Sequence, residues 1–282
     1  MQKPTLSINM HYLKVTIVTP SYNQAAFLEQ TILSVLNQDY PNIEYIVIDG
    51  GSRDGSVDII KKYQHRLAYW VSEPDRGQSH AINKGFQLAT GEILNWLNSD
   101  DLLMPSAARI AVHYLTEKPE VGMVYGDRLV IDAKGNTLKL IEHPSFNPRV
   151  MLYNIAIPQE TAFFRRQHWI EVNGVNEALR YCMDYELWIK LNKVTQIYHI
   201  PFVLGAYRSH EVAKSTAGYD IQGERGRKEL DGVMLQHFSK RRGKMMKKLY
   251  KKYSTYKLNR EKKATSRMKE IGHILEIINE SA

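Results

Sequence analysis

Strand and helix signals alternate at a short, regular pace through the first hundred residues, and no other feature narrows the possible fold as far. Lys14–Thr19 (KVTIVT) is a β-branched run that ends at Pro20. Phe27–Asn37 carries apolar residues at Phe27, Leu28, Ile32, Val35 and Leu36, a helical spacing. Glu44–Asp49 (EYIVID) reads as a second strand stopped by Gly50 and Gly51. Val57–Tyr63 then fits a helix with Ser52 or Asp54 available as its cap. Leu67–Ser72 is a third strand, Gln78–Leu88 a helix ending near Gly91, and Ile93–Leu97 a fourth strand. This order predicts βαβ units and a mainly parallel α/β sheet. Ligands of such sheets bind beyond the carboxyl ends of the strands. The loops after Thr19, Asp49, Ser72 and Leu97 are therefore the candidate site. A further helix is expected from Pro105 to about Thr116. Strands at Val121–Tyr125, Arg128–Ile131 and Thr137–Ile141 follow, making a mixed second half.

Charge divides the chain. The net charge is +8, but residues 240–282 alone hold 14 Lys or Arg against 4 Glu, so everything before them sums to −2. The high isoelectric point belongs to the tail and says little about the site. Cys182 is the single cysteine, which excludes an internal disulfide. Residues 1–10 lack the apolar core of a signal peptide, and no apolar run approaches the ~18 residues needed to cross a bilayer. The expectation is a cytoplasmic chain without a transmembrane anchor.

The candidate loops carry chemistry. Asn98-Ser99-Asp100-Asp101 directly follows the fourth strand. Adjacent carboxylates raise each other's pKa unless a cation or solvent neutralises them. A hard divalent ion such as Mg²⁺ or Mn²⁺ takes a few protein oxygens and fills the rest of its shell with phosphate and water. Capping of the helix near Pro105 is the competing reading; the position after a central strand favours the ligand. Asp49-Gly50-Gly51-Ser52 places a carboxylate and close-approach glycines after the second strand. Tyr22, in Thr19-Pro20-Ser21-Tyr22-Asn23, offers a ring to stack on a base. Asp75-Arg76-Gly77-Gln78 is a polar turn after the third strand.

Taken in order, Thr19–Asn23, Val47–Ser56 (VIDGGSRDGS), Glu73–Gln78 with Ala81–Gly85, and Trp96–Asp101 (WLNSDD) resemble the family 2 inverting glycosyltransferases. The resemblance continues through Gln159–Arg166, Met183–Trp188 and Tyr207–His210, and spans roughly Lys14 to Ser215. It implies the GT-A fold, a Rossmann-like mixed sheet, for residues 1–221, with residues 222–282 as a helical, basic extension. It also implies a nucleotide-sugar donor, a UDP-sugar, and Mn²⁺ or Mg²⁺. Pro20, Tyr22, Asn23, Asp49, Gly51, Asp75, Gln78, Asn98, Ser99 and Arg208 would bind the nucleotide-sugar. Asp100 and His210 would hold the metal, with Asp101 as a further candidate ligand. Asn98 stands where the family's metal motif has its first aspartate, so one formal carboxylate is missing there. Asp184 matches the catalytic base, although Met183 precedes it where many relatives carry Glu. Gln159, Glu160 and Glu186 would shape the acceptor or sugar pocket.

In Arg241–Arg260 the residues Met245, Leu249, Tyr253 and Tyr256 form one helical stripe among lysines. A basic amphipathic helix reads as a surface for anionic membrane, here residues 240–262 at the inner face of the cell membrane. Packing on the body is the alternative, and no stacking or groove-reading motif supports nucleic acid. The stripe Met268, Ile271, Leu275, Ile278 would suit self-association into a homo-oligomer. A membrane-facing tail would suit a lipid-linked or glycan acceptor in surface-polysaccharide or glycolipid assembly. Two rival functions compete with sugar transfer. A nucleotidyltransferase would need a Gly-rich basic loop after its first strand, and Thr19–Gln24 has neither glycine nor lysine. Asp100 and Asp184 argue against a non-catalytic nucleotide-sugar-binding protein.

Overall fold

Four parallel strands form one half of the sheet: β1 (Val15–Ser21), β2 (Ile43–Asp49), β3 (Tyr69–Ser72) and β4 (Ile93–Trp96), side by side as β3-β2-β1-β4. The structure, a computed structural model, describes residues 12–148, 157–211, 213 and 224–238. Both the 240–262 stripe and the Met268–Ile278 stripe lie outside the described residues. Helices α1 (Ala25–Leu36), α2 (Ser56–Tyr63) and α3 (Gln78–Leu88) make the crossovers. β1 is buried along its whole length because helices cover both faces. Successive side chains point to opposite faces. Ile17 and Val47 pack with Leu28, Ile32 and Ile60 on one side, while Val18 and Ile48 pack with Ile82 and Phe86 on the other.

The second half is mixed. Two-residue β5 (Leu102–Leu103) leads into α4 (Ala107–Glu117), and β6 (Val121–Ile131) and β7 (Thr137–Ile141) form an antiparallel pair. Strand β8 (Phe163–Arg165) lies between β4 and β6, antiparallel to both. The sheet continues through β9 (Gln196–Arg208), parallel to β6, and ends at β5. The two strands expected at Val121–Tyr125 and Arg128–Ile131 are one. Gly126 does not break it but admits a neighbour, since a Cβ there would meet Leu204 Cγ and the Phe202 carbonyl at 2.5 Å. Register shifts on either side of Asp127 absorb the crowding.

Short α5 (Arg166–Glu171) precedes a loop into α6 (Met183–Val194). Helix α7 (Glu224–His237), just past the boundary expected at residue 221, packs against α6. Val233 contributes to a buried cluster with Cys182, Tyr185 and Ile189, flanked by Leu230, Met234 and Phe238. Its first described helix is therefore bound into the body. Among the described residues, no helix is long and apolar enough to cross a membrane.

Candidate active site

The carboxyl ends of β1 to β4 share one edge, as the parallel pairing requires. Their loops hold one another. The Asn23 N–H donates to Ser52 Oγ (2.8 Å) and the Arg53 N–H donates back to Asn23 Oδ1 (3.0 Å). Asn23 has φ 52°, a left-handed backbone that asparagine tolerates better than most side chains. Asp54 serves two helices. One of its oxygens accepts the Ala25 N–H at the start of α1, the other the Ser56 N–H and hydroxyl at the start of α2. Burial pushes its carboxyl up, but these bonds win and hold it below the usual carboxylate range. The N-cap position of α2 itself is Gly55, not Ser52 or Asp54.

Asp49 is fully buried. Its carboxylate accepts the N–H groups of Gly51 and Ser52 and the hydroxyls of Ser52 and Ser72. Its oxygens thus brace the second loop. Tyr22, by contrast, is 61 % exposed, its ring free of the core. Asp75 bridges the second and third loops. It accepts the Gly77 N–H at 2.7 Å, and its Oδ2 lies 2.9 Å from where a Cβ on residue 50 would sit, so a larger residue there would displace the Asp75 carboxylate.

The fourth loop is tied on both sides. Gln78 at the start of α3 donates to Asn98 Oδ1 (2.7 Å), and Asn98 Nδ2 donates to Asp101 (3.1 Å). An aspartate at position 98 would lose that second donor. Asp101 is buried and also accepts the Arg208 backbone N–H (2.9 Å). Burial, then the charges of Asp100 and Glu160, push its carboxyl well above the usual range. Asp101 thus faces the interior as a loop brace, not the expected ligand position. Ser99 is buried beside it.

Arg208 also departs from expectation. It is fully buried, and its guanidinium donates to the carbonyls of Asp100, Asp132 and Ala133 and to Gln30 Oε1. Four of five N–H donors are therefore spent within the protein. Through one of these bonds it holds the backbone of Asp100. Two residues further on, His210 Nε2 lies 3.1 Å from Asp100 Oδ2, and the His210 ring packs on Phe27 at 4.4 Å. One carboxylate and one imidazole, 110 residues apart in sequence, thus meet at the sheet edge. Among the described residues, no group of three or more His, Cys, Asp or Glu is placed to hold a metal. Two protein donors still fit an ion that completes its shell with diphosphate and water.

Asp184 lies in the first turn of α6, after the N-cap residue Cys182, and its Oδ1 accepts the Tyr185 N–H (2.7 Å). One turn on, Trp188 stacks on Trp96 at the end of β4, with centroids 5.4 Å apart and planes 17° apart. Residues four apart share a helix face, so Asp184 is on the face turned to the end of β4. Gln159 approaches the same place, donating to the Trp96 carbonyl (2.5 Å). The other two expected pocket residues are buried in ion pairs. Glu160 is buried 3.5 Å from Arg128, and Glu186 is buried between Lys190 and His237. A carboxylate inside the protein requires such partners; Glu160 still lies near enough to Asp101 for its charge to raise that carboxyl, whereas Glu186 finds its partners between α6 and α7. Burial, then the charges of Glu229 and Asp184, push the Cys182 thiol up, so it is no nucleophile.

A half-parallel, half-mixed sheet with this loop edge and an acid–imidazole pair is the GT-A architecture, the class to which the fold belongs. Solved structures share it: the TarS fragment 1–349 of S. aureus in complex with UDP-GlcNAc (18 % identity, TM-score 0.61, 71 % of this chain and 60 % of that one). A mannosyltransferase of Pyrobaculum calidifontis in complex with GDP-Man and Mn²⁺ is also similar (18 %, TM-score 0.60, 96 % and 88 %). Residues 16–180 match Glycosyl transferase family 2, and the chain belongs to that family. An uncharacterized glycosyltransferase of Rickettsia conorii is 30 % identical over 218 residues, 72 % of this chain and 35 % of its own length. Chondroitin synthase of Escherichia coli is 26 % identical over 212 residues, 74 % of this chain and 31 % of its own length. The chain thus spans about a third of the length of these two relatives.

Proposed function

We propose that this chain is an inverting glycosyltransferase that moves a sugar from a nucleotide-diphosphate donor, a UDP-sugar, to an acceptor hydroxyl. The observation that carries this is the Asp100–His210 pair at 3.1 Å, held at the edge where all four parallel-strand loops meet. Family membership and the UDP-GlcNAc and GDP-Man bound by the two structural relatives support a nucleotide-sugar. Tyr22 stacks on the base in this reading, and Pro20, Asn23, Gly51 and the loop braced by Asp49 shape its pocket. Asp75, Gln78, Asn98 and Ser99 line the path from ribose to donor sugar.

Asp100 and His210 would hold Mn²⁺ or Mg²⁺, which when bound neutralises the charge that builds on the departing diphosphate. Arg208 contributes by fixing Asp100. Asp184 accepts the acceptor hydroxyl's proton as that oxygen bonds the anomeric carbon. The carbon–phosphate-oxygen bond breaks on the opposite face, and its electron pair leaves with the diphosphate. One carboxylate suffices because no covalent intermediate forms. Gln159 borders the sugar.

The catalytic unit extends past residue 221 to include α7, and the basic segment beyond it serves an anionic membrane surface. That placement makes the protein cytoplasmic and peripheral, with a lipid-linked or glycan acceptor; the relationship to a chondroitin synthase favours polysaccharide assembly. The test is a thermal-shift and donor screen. UDP or a UDP-sugar with Mn²⁺ raises the thermal midpoint, and nucleoside diphosphate is released when acceptor is added. No response to any nucleotide with either metal would overturn the reading.

A further inference from the structure

Helix α6 divides its faces. Leu187, Trp188 and Leu191 pack toward the sheet, and Cys182, Tyr185 and Ile189 toward α7. The N-cap residue Cys182 makes no side-chain cap bond, and in the first turn Asp184 Oδ1 accepts the Tyr185 N–H (2.7 Å). The segment entering the helix instead donates to a residue 47 to 49 positions later. Glu229 on α7 accepts the backbone N–H groups of Arg180 (2.9 Å), Tyr181 (2.6 Å) and Cys182 (2.7 Å). Three consecutive N–H groups converge on one carboxylate, using both of its oxygens. Bonds to a charged acceptor are about twice as strong as neutral ones. The last of the three N–H groups is two residues from Asp184. The same approach segment is tied on its other side to α3, where Ser79 Oγ donates to the Leu179 carbonyl (2.9 Å) and Asn83 Nδ2 to the Val175 carbonyl (2.8 Å).

We propose that Glu229 is a positioning residue for transfer: by clamping residues 180–182 it sets the register of the Asp184 carboxylate over the donor. This rests on Asp184 being the base. A general base must sit within hydrogen-bond reach of the proton it takes. A misplacement of about 1 Å costs on the order of a hundredfold in rate. The clamp therefore affects turnover, whereas the donor in this reading is held by the loops after β1 to β4.

The test compares the full-length protein with Glu229→Gln and Val233→Ala. Glutamine keeps the shape and one acceptor oxygen but turns an amide N–H₂ on the remaining N–H. Val233→Ala loosens the same helix contact without touching the clamp. Nucleoside diphosphate release is followed from UDP-N-acetylglucosamine and from GDP-mannose, each with Mn²⁺. In parallel, amide hydrogen exchange is read at residues 180–185 and 188–194. Glu229→Gln is expected to lower kcat at least tenfold with KM for donor within twofold, and to speed exchange at 180–185 only. Val233→Ala is expected to keep kcat within threefold, even at an equal or larger loss of thermal midpoint. Unchanged kcat in Glu229→Gln, or loss in both variants in step with their midpoints, overturns the proposal. Equal exchange in Glu229→Gln and wild type does the same. If the wild type releases nothing from either donor, that counts against the transferase reading, and the exchange comparison alone decides the clamp.

Discussion

The loop edge of β1 to β4 and the α6–α7 helix pair solve the same problem, holding polar side chains still, by different means. At the loop edge each segment is fixed by its neighbour within the sheet: Asn23 to Ser52, Asp54 to Ala25, Gln78 to Asn98. The α6 entry is fixed by a helix beyond it in the chain, through Glu229 and an apolar cluster. The family match ends at residue 180, before Asp184 and α7. The proposed donor edge is thus braced mostly by its own loops, while the proposed proton acceptor depends on a helix later in the chain.

That contrast can be broken most directly at Asp184. Asp184→Asn is expected to lower kcat by about 10²–10⁴ while donor Kd from calorimetry stays unchanged. Coupled loss of both would mean that the two regions are not separable. Arg208→Met should cost about 3–5 kcal/mol in denaturant unfolding, because it leaves buried carbonyls and Gln30 without their donor. It should also weaken the metal-dependent response through the Asp100 backbone. Asp100→Ala should abolish the midpoint rise produced by UDP with Mn²⁺; at a hundredfold excess over Kd that rise corresponds to about 2.7 kcal/mol. A retained rise would remove Asp100 as a ligand.

The smallest effect is in pH dependence, and its sign separates the regions. Burial holds His237, between α6 and α7, below its ordinary pKa. Its contribution is fully present above the unfolded value of about 6.5 and is lost as pH falls through the depressed folded value. Asp101 is raised, so its contribution is fully present below about 3.9 and lost as pH rises through the folded value. His237→Gln should therefore flatten the loss of urea midpoint below pH 6.5, with Glu186 and Lys193 still facing the site. An unchanged pH profile would mean that His237 is not buried neutral.

What the sequence revealed follows the same division. The strand ends Asp49 and Ser72 and the bounds of α3 were readable because β-branched runs stop at glycine, proline and polar loops. Those loops carry their own bracing partners. Strand β9 and the uninterrupted β6 were not readable. Pro201 and Gly126 look like breaks, and only the packing of β9 on β6 shows that they are accommodated. The partners of Arg208 were hidden for a related reason. The resemblance through Tyr207–His210 implies nucleotide-sugar binding, and nothing local shows that Asp132, Ala133 and Gln30 claim its donors. Glu229 had no local signal, since its partners lie 47 to 49 residues earlier.

The stacked indoles of Trp96 and Trp188 make the seating of α6 on β4 optically visible. Two chromophores so close and nearly coplanar couple electronically, so their near-ultraviolet circular dichroism is a joint signal that neither ring gives alone. It vanishes if the helix lifts by a few ångströms, even while the backbone stays folded. Without nucleotide, whose base absorbs in the same range, a change in that signal would report α6 shifting on β4.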